Sequence, residues 1–274
     1  MIRSASRQAL DELRSQEDAV YDGGISANAL KTVARDLYSV ADLLVAQPRL
    51  RRTLGDPATA AEGRAQLAEN LLAGKIGAEA LGIVQAAVRL RWSTPWDLTD
   101  ALEDAGDTAL FAAAERDDRL DQLEDEMFRL ERILEAEGEA AALLDEFTVD
   151  AARRIELVDK LVKGKVSPIT LELLHHAVAS QRKRSITLAI DDLLEKATAR
   201  QERSVARVIS AVPLTDAQEA RLAAALTAIY GRAMSVRTAL DPDVRGGLVV
   251  RVGDEVIDGS IATRFAAARA ALAG

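Results

Sequence analysis

Residues 71–76 read Leu-Leu-Ala-Gly-Lys-Ile, and residues 161–166, ninety positions later, read Leu-Val-Lys-Gly-Lys-Val. Apolar residues recur at the three- and four-residue spacing of a helix around both segments. With the chain shifted by 90 residues, 13 of the 62 positions from Leu37 to Leu98 match their partners. The shift predicts two copies of one helical bundle. The alternative is chance similarity between two regions rich in alanine and leucine.

Outward from these segments, most of residues 1–203 has the same helical spacing. Only nine of the 274 residues are aromatic, and alanine and leucine lose little side-chain freedom in a helix. Pro48 and the sequence Gly-Asp-Pro at 55–57 predict helix breaks. The connections are short, so neighbouring helices are expected to pack antiparallel.

The pattern changes at Ser204, where β-branched residues begin to alternate with polar ones. We expect strands at 205–212, 234–240, 248–252 and 255–257, a helix ending at Tyr230, and a last helix at 261–272. The predicted fold class is mainly α. Two repeated antiparallel helical bundles, residues 1–106 and 107–203, precede a small α/β domain, residues 204–274.

Composition excludes several classes of protein. Without cysteine the chain has no disulfides, thiolate metal sites or cysteine nucleophiles. A net charge of −9 argues against a nucleic-acid binder that relies on phosphate contacts. No uncharged apolar run approaches the roughly 18 to 20 residues of a membrane span, and residues 1–18 carry acids that targeting peptides avoid. We therefore expect a protein that faces the cytosol without spanning a membrane.

No motif points to catalysis, to a cofactor or to a metal. His175 and His176 are adjacent on a predicted helix, so their side chains diverge by about 100° and do not share one ion. The dipeptides Gly74-Lys75 and Gly164-Lys165 lack the upstream glycine and the following serine or threonine of a phosphate-binding loop. The prediction is a protein that is not an enzyme.

Acidic side chains are concentrated at residues 107–146, with 14 acidic against 4 basic residues. Leu120, Met127 and Leu134 have the spacing of a helix that faces a bundle core rather than a free coiled coil. The acidic face of this region is either a solvated surface or a docking surface for a basic partner segment. The candidate docking residues are Asp117, Asp121, Glu124, Asp125 and Glu131.

The C-terminal region carries three short motifs in a fixed order. They read AVPLT at 211–215, DPDVRGGLVVRVGD at 241–254 and VIDGS at 256–260. Together they resemble the δ subunit of F-type ATP synthase, called the oligomycin-sensitivity-conferring protein in mitochondria. The residues that match the family's signature are Pro213, Asp241, Pro242, Gly246, Gly247, Gly253, Asp254, Asp258, Gly259 and Ser260.

The resemblance extends upstream, because residues 108–115 and 120–134 look like the first two helices of the family's helical domain. It therefore covers residues 107–274. Residues 1–106 depart from an ordinary family member and look like an extra copy of the helical domain, which leaves open which copy performs the family's usual role.

The resemblance implies a non-catalytic stator subunit, present as one molecule per complex at the cytoplasmic face of the bacterial plasma membrane. It implies two partners: amino-terminal segments of the α subunits, and the carboxyl end of the b subunit. It implies no nucleic acid and no cofactor. The rival interpretations are a generic helical adaptor with an unrelated α/β tail, and an enzyme with a site between the repeats.

Overall fold

The computed structural model describes residues 4–146, 148–162, 164–180, 185–230, 234–241, 244, 246–253 and 255–259. The chain divides into two compact units, residues 1–197 and 198–274. Helices predominate and a small mixed sheet lies near the carboxyl end. The predicted fold class, mainly α with a small C-terminal α/β region, is confirmed.

The buried apolar residues of the first unit form one hydrophobic core. The helices that contribute to it are α1 (Ser4–Tyr21), α2 (Ala27–Ala46), α3 (Pro48–Gly55), α4 (Ala61–Leu72), α5 (Ala78–Arg89), α6 (Pro95–Arg116), α7 (Leu120–Ala136), α8 (Gly138–Leu144), α9 (Ala151–Val162), α10 (Pro168–Ala179) and α11 (Ile186–Ser204). Thr94 and Asp97 form a capping box at the start of α6, with Pro95 in its first turn. These signals explain where the longest helix begins.

The 90-residue shift aligns α4 with α9 and α5 with α10, residue for residue. The connecting turn repeats as well, because Gly74 and Gly164 have positive φ angles of 75° and 69°. Left-handed backbone of this kind is accessible to glycine without a Cβ clash. The paired Gly-Lys segments therefore adopt the same backbone conformation.

A buried or half-buried carboxylate from the second helix of each copy caps the fifth helix. The backbone N–H of Gly77 donates to Asp36 Oδ2 at 2.8 Å, and that of Ser167 donates to Glu126 Oε2 at 2.8 Å. Both pairs are related by the same 90 residues. An anionic side chain at a helix amino terminus satisfies an unpaired N–H and complements the helix dipole.

Helix α6 has two roles under this shift. It aligns with α11 as the last helix of a copy, and residues 94–111, which span most of α6 from its start, align with α1 as the first helix of the next. We call α1–α6 the first copy and α6–α11 the second copy. The predicted boundary between residues 106 and 107 falls inside α6, and the division into three domains stays a prediction.

The second unit contains a four-stranded sheet with strand order β2-β1-β3-β4. Its elements are β1 (Val205–Ser210), α12 (Asp216–Tyr230), β2 (Ser235–Leu240), β3 (Leu248–Val252) and β4 (Glu255–Asp258). Strands β1 and β2 are parallel, and α12 connects them, whereas β3 is antiparallel to both β1 and β4. Ala206, Val208, Leu226 and Val250 lie in its small core.

Thr215 and Gln218 form a capping box at the start of helix α12. The Gln218 side chain accepts from the Thr215 backbone N–H at 2.9 Å, and the Gln218 N–H donates to Thr215 Oγ1 at 3.4 Å. The predicted helix at 261–272 lies outside the described residues.

Candidate partner-binding surfaces

The signature glycines shape the sheet of the second unit. Gly246 and Gly247, with φ angles of 74° and 83°, form the bend that leads into β3. Gly253, at 56°, lies in the turn between β3 and β4. A side chain at any of these positions would be strained. The role of these three glycines is therefore to allow the backbone conformation of the two turns.

The other described signature residues lie at the ends of the strands. The Asp241 N–H donates to Ser210 O at 2.9 Å, and the Gly259 N–H donates to Leu248 O at 2.9 Å. Asp258 ends β4 in register with Val249. Pro213 is exposed in the connection to α12. Pro242, Asp254 and Ser260 lie outside the described residues.

The five predicted docking residues differ in burial. Asp117 caps the carboxyl end of α6 and pairs with Lys31 Nζ at 3.4 Å, while Asp121 and Asp125 are exposed on α7. Glu124 and Glu131 are half-buried. A hydrogen bond with the carboxyl group of Asp191 on α11 raises the pKa of Glu131. The exposed part of the acidic face on α7 is therefore the side that carries Asp121 and Asp125.

Helix α7 faces the core with the residues that its spacing predicts, because Leu120, Met127 and Leu134 are buried. Glu126, in the middle of the acidic run, is also buried. Burial alone would raise its pKa, but hydrogen bonds from Ser167, Thr170 and Gln122 outweigh that effect and lower it. Glu126 is not among the residues predicted from the sequence, although its alignment with Asp36 under the 90-residue shift was an available signal.

A groove of about 780 Å³ lies within the first unit, between α1, α6, α10 and α11. Leu10, Trp96 and Leu193 are the large apolar side chains in its lining. Trp96 is 40% exposed, and the guanidinium of Arg51 lies over its ring at 3.5 Å. No pattern in the sequence identified this groove.

Several ion pairs line the wall of this groove between α6 and α11. Lys196 Nζ on α11 contacts Asp104 Oδ1 at 2.8 Å and Asp107 Oδ2 at 3.1 Å on α6, and Asp192 Oδ2 at 2.8 Å. Burial opposes the charge of Lys196, but the three carboxylates outweigh it and raise its pKa. Arg14 Nη2 on α1 pairs with Asp104 at 3.3 Å. The cluster ties α1 and α11 to α6.

Tyr38 connects α2 to both α6 and α10. Its hydroxyl donates to Asp107 Oδ1 at 2.7 Å, and its ring is stacked on that of His176 at 3.5 Å. The ring fits because Gly106 has no side chain; a Cβ there would lie 2.4 Å from Tyr38 Cε1. A glycine inside a helix is the sequence signal that could have indicated this close approach.

The two adjacent histidines point to different neighbours. His175 Nε2 lies 2.7 Å from Asp159 Oδ1, whereas His176 stacks on Tyr38. Within the described ranges, no group of three or more histidine, aspartate or glutamate residues is placed to hold a metal ion. No helix among the same residues has the length and apolarity to cross a membrane.

Comparison with known proteins gives a consistent result over the whole chain. The family model for the ATP synthase delta (OSCP) subunit matches residues 108–272. ATP synthase subunit delta of Streptomyces griseus is 43% identical over 273 residues, covering 100% of both chains. The same subunit of Salinispora tropica is 40% identical over 253 residues, 92% of each chain. ATP synthase subunit b-delta of a Mycobacterium species (strain KMS) is 41% identical over 271 residues, 99% of this chain and 61% of that protein. The chain therefore belongs to the ATP synthase delta (OSCP) subunit family, a structural rather than a catalytic part of the ATP synthase.

Proposed function

We propose that this chain is a stator subunit that links the α subunits of the catalytic head to the b subunit of the peripheral stalk. The observation that carries the proposal is the similarity to ATP synthase delta subunits along the full length of the chain. In this role the chain prevents the catalytic head from turning with the rotor, so that the torque of the rotor drives ATP synthesis. The work requires surface fit and stiffness rather than a reactive group.

The link to b is supported by the Mycobacterium relative, whose name joins b and delta in one polypeptide. Parts joined in one chain lie within reach of each other in the assembled complex. We assign the contact with the carboxyl end of b to the α/β unit, residues 198–274, which carries the family signature. The chain would then lie at the cytoplasmic face of the membrane as a peripheral part of the synthase.

The link to the head is assigned to the groove between α1, α6, α10 and α11. An amphipathic segment binds such a groove through apolar anchors one helical turn apart. The groove offers apolar contact through exposed Trp96 and half-buried Leu10, and the ion pairs of Lys196 hold α6 and α11 together at its wall. We propose that this groove grips an amino-terminal segment of an α subunit.

The groove assignment is tested with Trp96→Glu in the complete synthase. The substitution would replace the apolar anchor by a charge that the bound segment would have to bury, so we expect roughly tenfold weaker retention of ATPase activity on membranes. Leu43→Glu is the matched control, because Leu43 is similarly exposed, at 36%, and does not line the groove. Equal retention with the two variants would contradict the assignment.

The stalk assignment is tested with Gly247→Val. A β-branched residue at a φ of 83° is strained, so we expect loss of the sheet's native bend and of co-purification with b. Binding to α should persist, since the groove lies in the other unit. Unchanged stability together with unchanged co-purification of b would argue against it.

A further inference from the structure

One face of α2 docks the first copy onto the second. Arg35 of α2 makes two hydrogen bonds to Glu172 of α10, at 2.7 and 2.9 Å. One turn along each helix, the ring of Tyr38 stacks on that of His176 at 3.5 Å. An ion pair and a ring stack, spaced by one turn, thus join two helices.

A third contact extends the same face. Lys31 of α2 pairs with Asp117 at the end of α6, at 3.4 Å. We call Lys31, Arg35 and Tyr38 the α2 face. Its two cations and its aromatic ring are each matched by an acid or a ring of the second copy.

The 90-residue shift maps the α2 face onto Asp121, Asp125 and Phe128 of α7, which we call the α7 face. Both helices have the same backbone arrangement relative to the fifth helix of their copy, because Asp36 and Glu126, one position after Arg35 and Asp125, each accept a backbone N–H at its start. The aromatic position stays aromatic. Both cationic positions become carboxylates.

The aromatic residue of the α7 face is exposed, whereas that of the α2 face is buried. Phe128 is 52% exposed, whereas Tyr38 is 7% exposed. The shift aligns Gly106, which makes room for Tyr38, with Lys196, so the notch has no counterpart beside Phe128. Asp121 and Asp125 are exposed as well.

We propose that the α7 face docks a basic helix of another subunit of the complex, in the way that the α2 face docks α10. The reversed charges define the occupant. It carries Lys or Arg where α10 has Glu172, facing Asp125. Four residues later, where α10 has His176, it carries an aromatic ring or an arginine that stacks on Phe128. The local surplus of acid, 14 to 4 over residues 107–146, steers such a partner.

This contact is additional to the proposed groove and stalk contacts. A direct test replaces Phe128 with the photo-crosslinking residue p-benzoylphenylalanine in the intact synthase. The control carries the same residue at Leu143, another apolar side chain of the second copy, 55% exposed. We expect irradiation to join position 128 to a helix of another subunit with a basic residue one turn before the site. No product above the Leu143 control, a product with a second molecule of this chain, or a product with an acidic segment would overturn the proposal.

A charge-reversal pair tests the electrostatics. Asp121→Lys with Asp125→Arg recreates the α2 charges on α7, and we expect roughly tenfold lower crosslinking yield at position 128. Glu137→Lys with Glu139→Arg changes the net charge equally at exposed positions near the other end of α7 and should leave the yield unchanged. Equal yields would refute the charge requirement. Co-purification of α and b, measured in the same samples, separates failure of this contact from failure of the proposed stator role.

Discussion

In the first copy, α2 buries two neighbouring stripes of side chains, whereas α7 in the second copy buries one. The extra stripe of α2 contains Ala34, Tyr38 and Ala41, which lie against other helices. The aligned residues of α7 are Glu124, Phe128 and Glu131, which are half-buried or exposed. A positive-φ glycine turn and a carboxylate cap are common to both copies. The glycine turn and the carboxylate cap thus keep the backbone arrangement alike in the two copies, whereas the surface side chains of α2 and α7 differ.

Two buried acids show the same divergence. Glu17 on α1 aligns with Asp107 on α6. Asp107 is paired with Lys196 and Tyr38, but Glu17 Oε2, 1% exposed as a residue, makes no hydrogen bond among the described residues. Burial, with the nearby charge of Asp104, raises the pKa of Glu17 to about 8.

The largest expected effect is a pH dependence that comes from Glu17. The native state holds its proton more tightly than the unfolded chain, in which the pKa is about 4.5, so the free energy of unfolding falls as pH rises from about 4.5 to 8. Glu17→Gln should remove that loss, so the stability of this variant relative to the native chain should improve by roughly 4 kcal/mol between pH 5 and 8.5. Urea unfolding at both pH values measures it. Exposed Glu12→Gln serves as the control variant, and a Glu17→Gln difference that does not change with pH would show that Glu17 is not desolvated.

The close packing of α2 on α6 predicts the next effect. Gly106→Ala would place a Cβ 2.4 Å from the Tyr38 ring, so we expect a loss of about 2 to 3 kcal/mol from overpacking. Gly82→Ala is the control, because that helical glycine has nothing within 4 Å of an added Cβ; it should gain about 0.5 to 1 kcal/mol. Thermal unfolding compares the two. Equal changes would mean that α2 and α6 are not packed this closely.

The shared cap can be compared between copies. Glu126 accepts from Ser167, Thr170 and Gln122, whereas Asp36 accepts from Gly77. Glu126→Ala should therefore cost about 2 kcal/mol and Asp36→Ala about 1 kcal/mol.

The same comparison has a pH signature. The pKa of Glu126 is lowered in the native state, so its contribution is present above its unfolded pKa and lost as pH falls through the native one. Denaturant unfolding at pH 7 and pH 3.5 would show the gap between Glu126→Ala and the native chain shrinking. A larger loss of unfolding free energy for Asp36→Ala than for Glu126→Ala at pH 7 would contradict this prediction.

The smallest effect concerns the exposed contact between copies. Arg35→Ala and Glu172→Ala, with the double variant, should give a coupling of about 0.5 kcal/mol, because exposed ion pairs are screened by water and salt. The coupling should weaken in 1 M NaCl. If no coupling is measured at low salt, the Arg35–Glu172 ion pair does not help to attach the first copy to the second.

Much of this architecture could be predicted from the sequence, because local signals determine it. Helical spacing, the Thr215–Gln218 cap and the glycines at 246, 247 and 253 act within a few residues. The 90-residue repeat also aligned the two Gly-Lys turns correctly. The shared role of α6 was missed, since the continuous helical pattern around residue 106 has no break to mark where one copy ends.

The groove and its charges could not be predicted in the same way. Lys196 lies nearly 90 residues from Asp107, and only the packing of α11 on α6 brings the two side chains together. Tyr38 and His176 are similarly remote in sequence. Periodicity identifies which face of a helix is buried, but it does not determine which partner covers that face.

The central claim is that this chain holds the head and the stalk together. Native mass spectrometry of the purified synthase under mild dissociation tests it directly. The account predicts one molecule of the chain per complex, subcomplexes that contain it with α or with b, and release of b from heads that have lost it. Heads that retain b after losing this chain would contradict the account.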